Sequence, residues 1–221
     1  MYKFLLLLIT LFCLTSCIEL LDDITLNSDG SGTFKYLINL SSSKTKANSI
    51  LALDSIDGRR VLKKPELEQK VKDFKKYMSE ESGISNVTVE YNFEDYIFKF
   101  NCDFDNVNNL QSAIKNSIQK LSVTEYKSDL NWLVWQNSKL DRNIPDIATD
   151  RFGNSRWLDL QLLQSGTYTS ISRFNKPVET YTNTLSKLSK SKKALMIQVK
   201  TSEIFNNPQL LKNKILLEGT K

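Results

Sequence analysis

The sequence predicts an α+β fold: a mostly antiparallel sheet with helices on one face, in the order ββααββα followed by a strand-rich C-terminal half. Three observations predict it. Two alternating segments flank an Asp-Gly turn near the start, apolar residues recur at helical spacing through the first half, and short β-rich runs dominate the second. No stretch rich in Pro, Gly or Ser divides the chain, so residues 17–221 are read as one unit.

The elements follow in order. Ile18 to Asn27 reads as a strand with Ile18, Leu20, Ile24 and Leu26 on one parity. Ser28-Asp29-Gly30-Ser31-Gly32 is turn chemistry, because glycine accepts positive φ and Asp-Gly favours tight hairpins. Thr33 to Leu40 returns with Phe34, Tyr36, Ile38 and Leu40 on one face. Ser41-Ser42-Ser43 can cap a helix through Ile56, with Ile50, Leu51 and Leu53 as its apolar side and Asp57-Gly58 as its stop. Pro65 opens a second helix, with Leu67, Val71, Phe74 and Met78 on one face and Gly83 as its end. Val87, Val89, Tyr91 and Phe93 alternate, Glu94-Asp95 turns, and Tyr96 to Phe104 returns. Asn106 caps a third helix bearing Val107, Leu110, Ile114, Ile118 and Leu121.

In the second half, Trp132 to Gln136 reads as a strand, Asn143 to Asn154 as a long loop and Trp157 to Leu163 as a short helix. Thr167 to Phe174, Leu195 to Lys200 and Leu211 to Glu218 read as strands, with a helical turn near Ser202 to Asn206 before Pro208.

The N-terminus carries the address. After Lys3, Phe4 to Leu14 is an apolar run interrupted by Thr10 alone. At about eleven residues it suits a signal-peptide core and is too short for a spanning helix of about 20. It ends in Leu14-Thr15-Ser16-Cys17, which resembles the lipobox of bacterial lipoproteins. The resemblance implies removal of residues 1–16, lipidation of Cys17 and acylation of the new amino end. With two or three chains at about 0.8 kcal/mol per buried CH₂, such an anchor is durable. Residue 18 is Ile rather than the Asp that holds lipoproteins at the Gram-negative inner membrane, which favours the outer membrane. A Gram-positive surface fits the same residues. Glu19, Asp22 and Asp23 resemble the acidic export signals of Bacteroidetes surface lipoproteins, with Leu20 and Leu21 departing from that pattern.

The opening hairpin with its Asp-Gly-Ser-Gly turn also resembles groups of uncharacterised bacterial lipoproteins, as does a closing region that begins at Tyr168 and includes Phe174-Asn175-Lys176-Pro177-Val178. The match is strongest with Bacteroidetes proteins and implies an envelope domain. It carries over no catalytic residue.

Composition excludes several chemistries. The chain has 221 residues, 40% apolar, a net charge of +5 and no histidine. Without histidine, Ser-His-Asp and Cys-His hydrolysis and His-ligated zinc are excluded. Carboxylate chemistry of the glycosidase kind survives. Cys13 leaves with the signal peptide and Cys17 takes lipid, so Cys102 remains alone, on the parity of Phe98, Phe100 and Phe104, as a buried thiol. Asn27 to Gly32 fails the calcium-loop pattern, since Thr25 and Tyr36 stand where ligands belong. Ser43-Lys44-Thr45-Lys46 and Ser189-Lys190-Ser191-Lys192 match Ser-x-x-Lys without its partner motifs. Trp132, Trp135 and Trp157 read as core.

Two basic runs are candidate contact surfaces for anionic lipid or an acidic partner: Arg59, Arg60, Lys63 and Lys64, and Lys187, Lys190, Lys192 and Lys193. The expectation is therefore a lipid-anchored, non-catalytic envelope protein with a binding or structural role and no cofactor or metal. Its partners would be the membrane and an envelope protein, lipid or polymer, and not nucleic acid. A carboxylate-based carbohydrate enzyme and an assembly factor of an envelope complex are the alternatives.

Overall fold

In the computed structural model, the structure describes residues 18–56, 58–122, 131–144 and 166–219. The sequence readings over Asn143 to Asn154 beyond Ile144, and over Trp157 to Leu163, lie outside the described residues, as does Cys17.

The fold is α+β, as the sequence predicts. β1 (Glu19–Leu26) and β2 (Gly32–Asn39) form the opening hairpin. After a 3-10 turn at Ser41–Ser43 come α1 (Lys44–Ala52), the two-residue strands β3 (Ser55–Ile56) and β4 (Arg59–Arg60), and α2 (Lys64–Glu80). β5 (Ile84–Asn92), β6 (Ile97–Phe104) and α3 (Val107–Leu121) complete the first half. The second half holds β7 (Leu133–Gln136), β8 (Lys139–Arg142), β9 (Thr167–Phe174), β10 (Val178–Tyr181), β11 (Lys187–Leu188) and β12 (Ala194–Lys200). It closes with α4 (Thr201–Asn206), a 3-10 turn at Pro208–Leu211 and β13 (Asn213–Leu217).

Seven strands form one sheet in the order β11-β12-β9-β1-β2-β6-β5, and four form a second in the order β10-β13-β8-β7. All pairs are antiparallel except β1 with β9, which runs parallel. The second sheet and helices α2 and α3 lie on the same face of the first. Ile24, Leu26, Phe34, Phe100, Cys102 and Phe104 from the large sheet share one core with Met78, Leu110 and Ala113 of the helices. Leu133, Leu140, Ile215 and Leu217 of the small sheet belong to that core as well. Phe74 on α2 meets Phe100 edge-on at 5.1 Å between centroids, the arrangement that aromatic quadrupoles favour.

The opening turn is fixed sterically. A Cβ on Gly32 would stand 1.9 Å from the Thr25 carbonyl oxygen and 2.8 Å from Phe104 Cζ. Gly30 has φ +88, and a Cβ there would come within 2.9 Å of Trp135 Cδ1. Only glycine lets β2 and Trp135 close on this hairpin. Gln111 on α3 joins helix to small sheet: its amide accepts from Leu133 N at 2.8 Å and donates to Leu133 O at 3.1 Å, standing in for a neighbouring strand. It thereby satisfies edge groups that would otherwise be buried unpaired.

Several elements differ from the sequence reading. The first helix stops at Ala52 instead of Ile56, because Ser55 and Ile56 pair with Arg60 and Arg59 as a miniature hairpin around Gly58. Its expected apolar side is only partly covered: Ile50 and Leu51 are half-buried, Ala47 is the buried residue of α1, and Leu53 stands 47% exposed beyond its end. β8, β10 and β11 have no counterpart in the sequence pattern. β8 returns from β7 through Asn137-Ser138, both at positive φ, a hairpin turn without the glycine that would announce it. The Asn106 cap is as expected, its side chain accepting from Asn109 N at 3.0 Å.

Candidate functional site

Two features outside ordinary core packing stand out: a buried ionic cluster between the sheets, and an uneven distribution of the basic runs.

Asp22 follows the parity of Leu20 and Ile24, so its carboxylate points into the core, where it is 4% exposed. Arg142 at the end of β8 reaches it from the small sheet, 5% exposed, with Nη2 donating to Asp22 Oδ2 at 2.7 Å. Tyr168 on β9 donates its hydroxyl to the same oxygen and accepts from Arg142 Nη2 at 3.0 Å. Ser170 Oγ donates to Asp22 Oδ1 at 3.0 Å. β1, β8 and β9 thus converge on one carboxylate.

Burial, and then the Asp22 charge, push Tyr36 up to about 12, and the same causes hold Tyr168 well above a phenol's ordinary range. Burial lowers the Arg142 pKa, but the adjacent Asp22 outweighs it and the net shift is upward. The guanidinium stays charged and the phenols stay protonated. Such a group locks strands together; every Asp22 oxygen is already engaged, and its near-complete burial leaves no face for a substrate. The sequence carried a signal for it, a lone charge on an apolar parity, but its partner lies 120 residues away.

Neighbouring Asp23 points to the opposite face and takes Arg173 in a bidentate pair at 2.9–3.0 Å. Two of the three acidic residues that resemble an export signal are therefore built into the fold. Cys102 is fully buried, and burial raises its thiol to about 12. Among the described residues no three acidic or cysteine side chains are grouped to share a metal ion.

The sheet register and the docking of α1 and α2 place Arg60, Lys63 and Lys64 at one end of the fold and Lys190, Lys192 and Lys193 at the other. Glu19 pairs with Asn39 and Thr167, and Asn39 with Ile97, so the chain's entry at Ile18 and the β5–β6 turn share one end. At that end α1 docks on the turn through Lys44 to Asp95 at 3.3 Å and through a hydrogen bond from Tyr96 to Asn48. Lys63 donates to Leu53 O and pairs with Asp54 at 3.1 Å. Arg60 pairs with Glu66 at 2.7 and 3.1 Å. Phe74 meets Phe98, next to the strand end, so the first turn of α2, about 15 Å earlier along its axis, carries Lys64 beyond it.

At the opposite end, Ala194 pairs with Arg173, which pairs with Thr25 beside the opening turn. There the chain turns through Lys190, Lys192 and Lys193. Lys192 has φ +57, its carbonyl accepts from Val178 N, and the Lys193 carbonyl accepts from Phe174 N. Ser189 and Ser191 hydroxyls bond within the turn. Lys187 sits midway along the sheet, opposite Met196. Lys187, Lys190, Lys192 and Lys193 are exposed, and none forms an ion pair among the described residues. The structure thus separates the eight basic candidates. Arg60 and Lys63 are committed to local carboxylates, and the lysine hairpin is not.

Together these features define an α+β protein of two sheets joined by an internal ion pair. No protein-family model matches the sequence, and no curated protein matches it. Among solved structures, the NMR structure of the folded domain of Mycobacterium tuberculosis LppM is similar over 91% of this chain and 90% of that one, with 9% identity and a TM-score of 0.43. A similarity at that level supports no conclusion about function.

Proposed function

We propose that this protein is a lipoprotein of the bacterial cell envelope, lipid-anchored through Cys17 at the outer membrane, with a non-catalytic binding role. The observation that carries the reading is the lipobox Leu14-Thr15-Ser16-Cys17 at the end of a short apolar run. Among the described residues no helix is long and apolar enough to cross a membrane.

The binding surface in this reading is the hairpin bearing Lys190, Lys192 and Lys193, and its partner is an anionic component of the envelope. Unpaired lysines on a rigid turn offer charge without first breaking internal ion pairs, which is what a long-range electrostatic contact needs. Asp22, the buried carboxylate of the ionic cluster, serves the fold in this account rather than a glycosidase dyad.

Metabolic labelling with a palmitate analogue tests the anchor. The wild-type protein should incorporate label and Cys17→Ala should not; label retained by the alanine variant would sink the lipoprotein reading. For the binding role, envelope crosslinking at low salt should yield adducts with wild type that vanish in the Lys190→Glu, Lys192→Glu, Lys193→Glu variant. Adducts unchanged by charge reversal would remove the hairpin from consideration.

A further inference from the structure

The end of the fold that carries Ile18 also carries exposed apolar groups. Ile18 is 2% exposed, and its carbonyl accepts from Thr167 N at 2.8 Å. The residue after the anchoring cysteine is already fixed in the fold, so no tether separates the two. A linker of n residues reaches about 5–6 Å × √n, and here n is effectively zero. The strand end at Glu19 must then lie at the headgroups of the anchoring bilayer.

Leu53, 47% exposed, lies beyond α1, which is docked to the β5–β6 turn at this same end. Tyr91, 37% exposed, meets Phe93 edge-on with ring centroids 5.3 Å apart just before that turn. Leu53 lies next to the start of α2 through the hydrogen bond from Lys63 to its carbonyl, and Lys64, exposed and in no ion pair among the described residues, follows there. Tyrosine, leucine and lysine at one end of a fold form the mixture that settles at a lipid–water boundary, the apolar parts entering and the ammonium staying among phosphates. The lysine hairpin is different. The seven residue steps from Glu19 to Leu26 place it about 23 Å from Glu19 along the strands. With a Debye length of about 8 Å at physiological salt, its charges are screened from the anchoring membrane.

We propose that Leu53, Tyr91 and Lys64 form a contact surface for a phospholipid bilayer, which holds the protein upright with its lysine hairpin facing away. This rests on the lipid-anchor reading given above, and the experiment separates the two. Full-length lipidated protein is reconstituted into vesicles of equal phosphatidylcholine and phosphatidylglycerol, carrying an environment-sensitive fluorophore at Leu53→Cys or at Lys192→Cys. Cys102 is buried, so labelling is selective.

Quenching by doxyl lipids should cut emission at position 53 by about twofold or more, as expected for insertion of about 5–10 Å, and leave position 192 unchanged. Equal quenching at both sites, or quenching at 192 alone, with lipid confirmed on Cys17 by mass, overturns the orientation and spares the anchor. Absence of lipid on Cys17 overturns both. Circular dichroism and retained burial of Cys102 confirm that each labelled variant is folded.

Discussion

At the scale of single residues, small chemical changes at Gly32 and Cys102 have large expected effects. Gly32 is tied to the Thr25 carbonyl so closely that a methyl group cannot enter without shifting β2. Gly32→Ala should destabilise by at least about 2 kcal/mol in a denaturant titration; an unchanged midpoint would contradict the packing described. Cys102 and Tyr36 bear on alkaline stability. Both have native pKa values raised to about 12, from ordinary values of 9.0 and 10.0. Between those limits the unfolded chain loses protons that the folded one keeps, so stability falls as pH rises from about 9 to 12. Each group adds a slope of up to about 1.4 kcal/mol per pH unit. Cys102→Ala should lower the slope across pH 9 to 12, most visibly between 9 and 10, where Tyr36 does not yet contribute, read from unfolding free energies across pH. An identical slope in the variant would show that the thiol is not protected as described. The burial of Cys102 was legible from its parity with three phenylalanines. The role of Asp22 was not, because a charge within an apolar alternation looks like an interruption until its counter-ion is known.

At the scale of elements, local chemistry was readable where punctuation was explicit. Asp29-Gly30, Pro65 and Asn106 mark boundaries by mechanisms that act within a few residues. The readings failed where tertiary pairing decides. α1 buries little apolar surface of its own, so nothing local extends it to Ile56, and the pairing of Ser55 and Ile56 with Arg60 and Arg59 ends it. β8 is bounded by Asn137-Ser138 and held by β13, a partner more than 70 residues away. That strand delivers Arg142 to Asp22, and the resulting lock joins the sheets. Removing one partner from a buried ion pair leaves an uncompensated charge, at a cost of about 3–5 kcal/mol, whereas replacing both by apolar groups is often nearly neutral. Arg142→Met should therefore destabilise strongly, and adding Asp22→Leu should restore much of the loss. Additive losses in the double variant, measured by thermal or chemical unfolding, would show that the two side chains are not coupled.

At the scale of the whole molecule, fold and address were legible to different degrees. The α+β class and the covering helices follow from periodicity, a property of short windows. The joining of two sheets over one core does not, because it depends on contacts spread across the chain. Of the eight basic candidates, sequence could name the runs but not sort them, since the carboxylates that neutralise Arg60 and Lys63 become partners only after folding. Arg60, Lys63 and Lys64 lie towards the end that carries Ile18 and Lys190, Lys192 and Lys193 at the other, and in the proposal the first end would face a membrane and the second a partner. Everything in that arrangement depends on Cys17. The most direct measurement is mass spectrometry of the N-terminal peptide from membrane-purified mature protein. Lipidation at Cys17 requires loss of residues 1–16 and a new amino-terminal Cys17 carrying diacylglycerol. A peptide that retains the leader, or a mature terminus with an unmodified thiol, would contradict it.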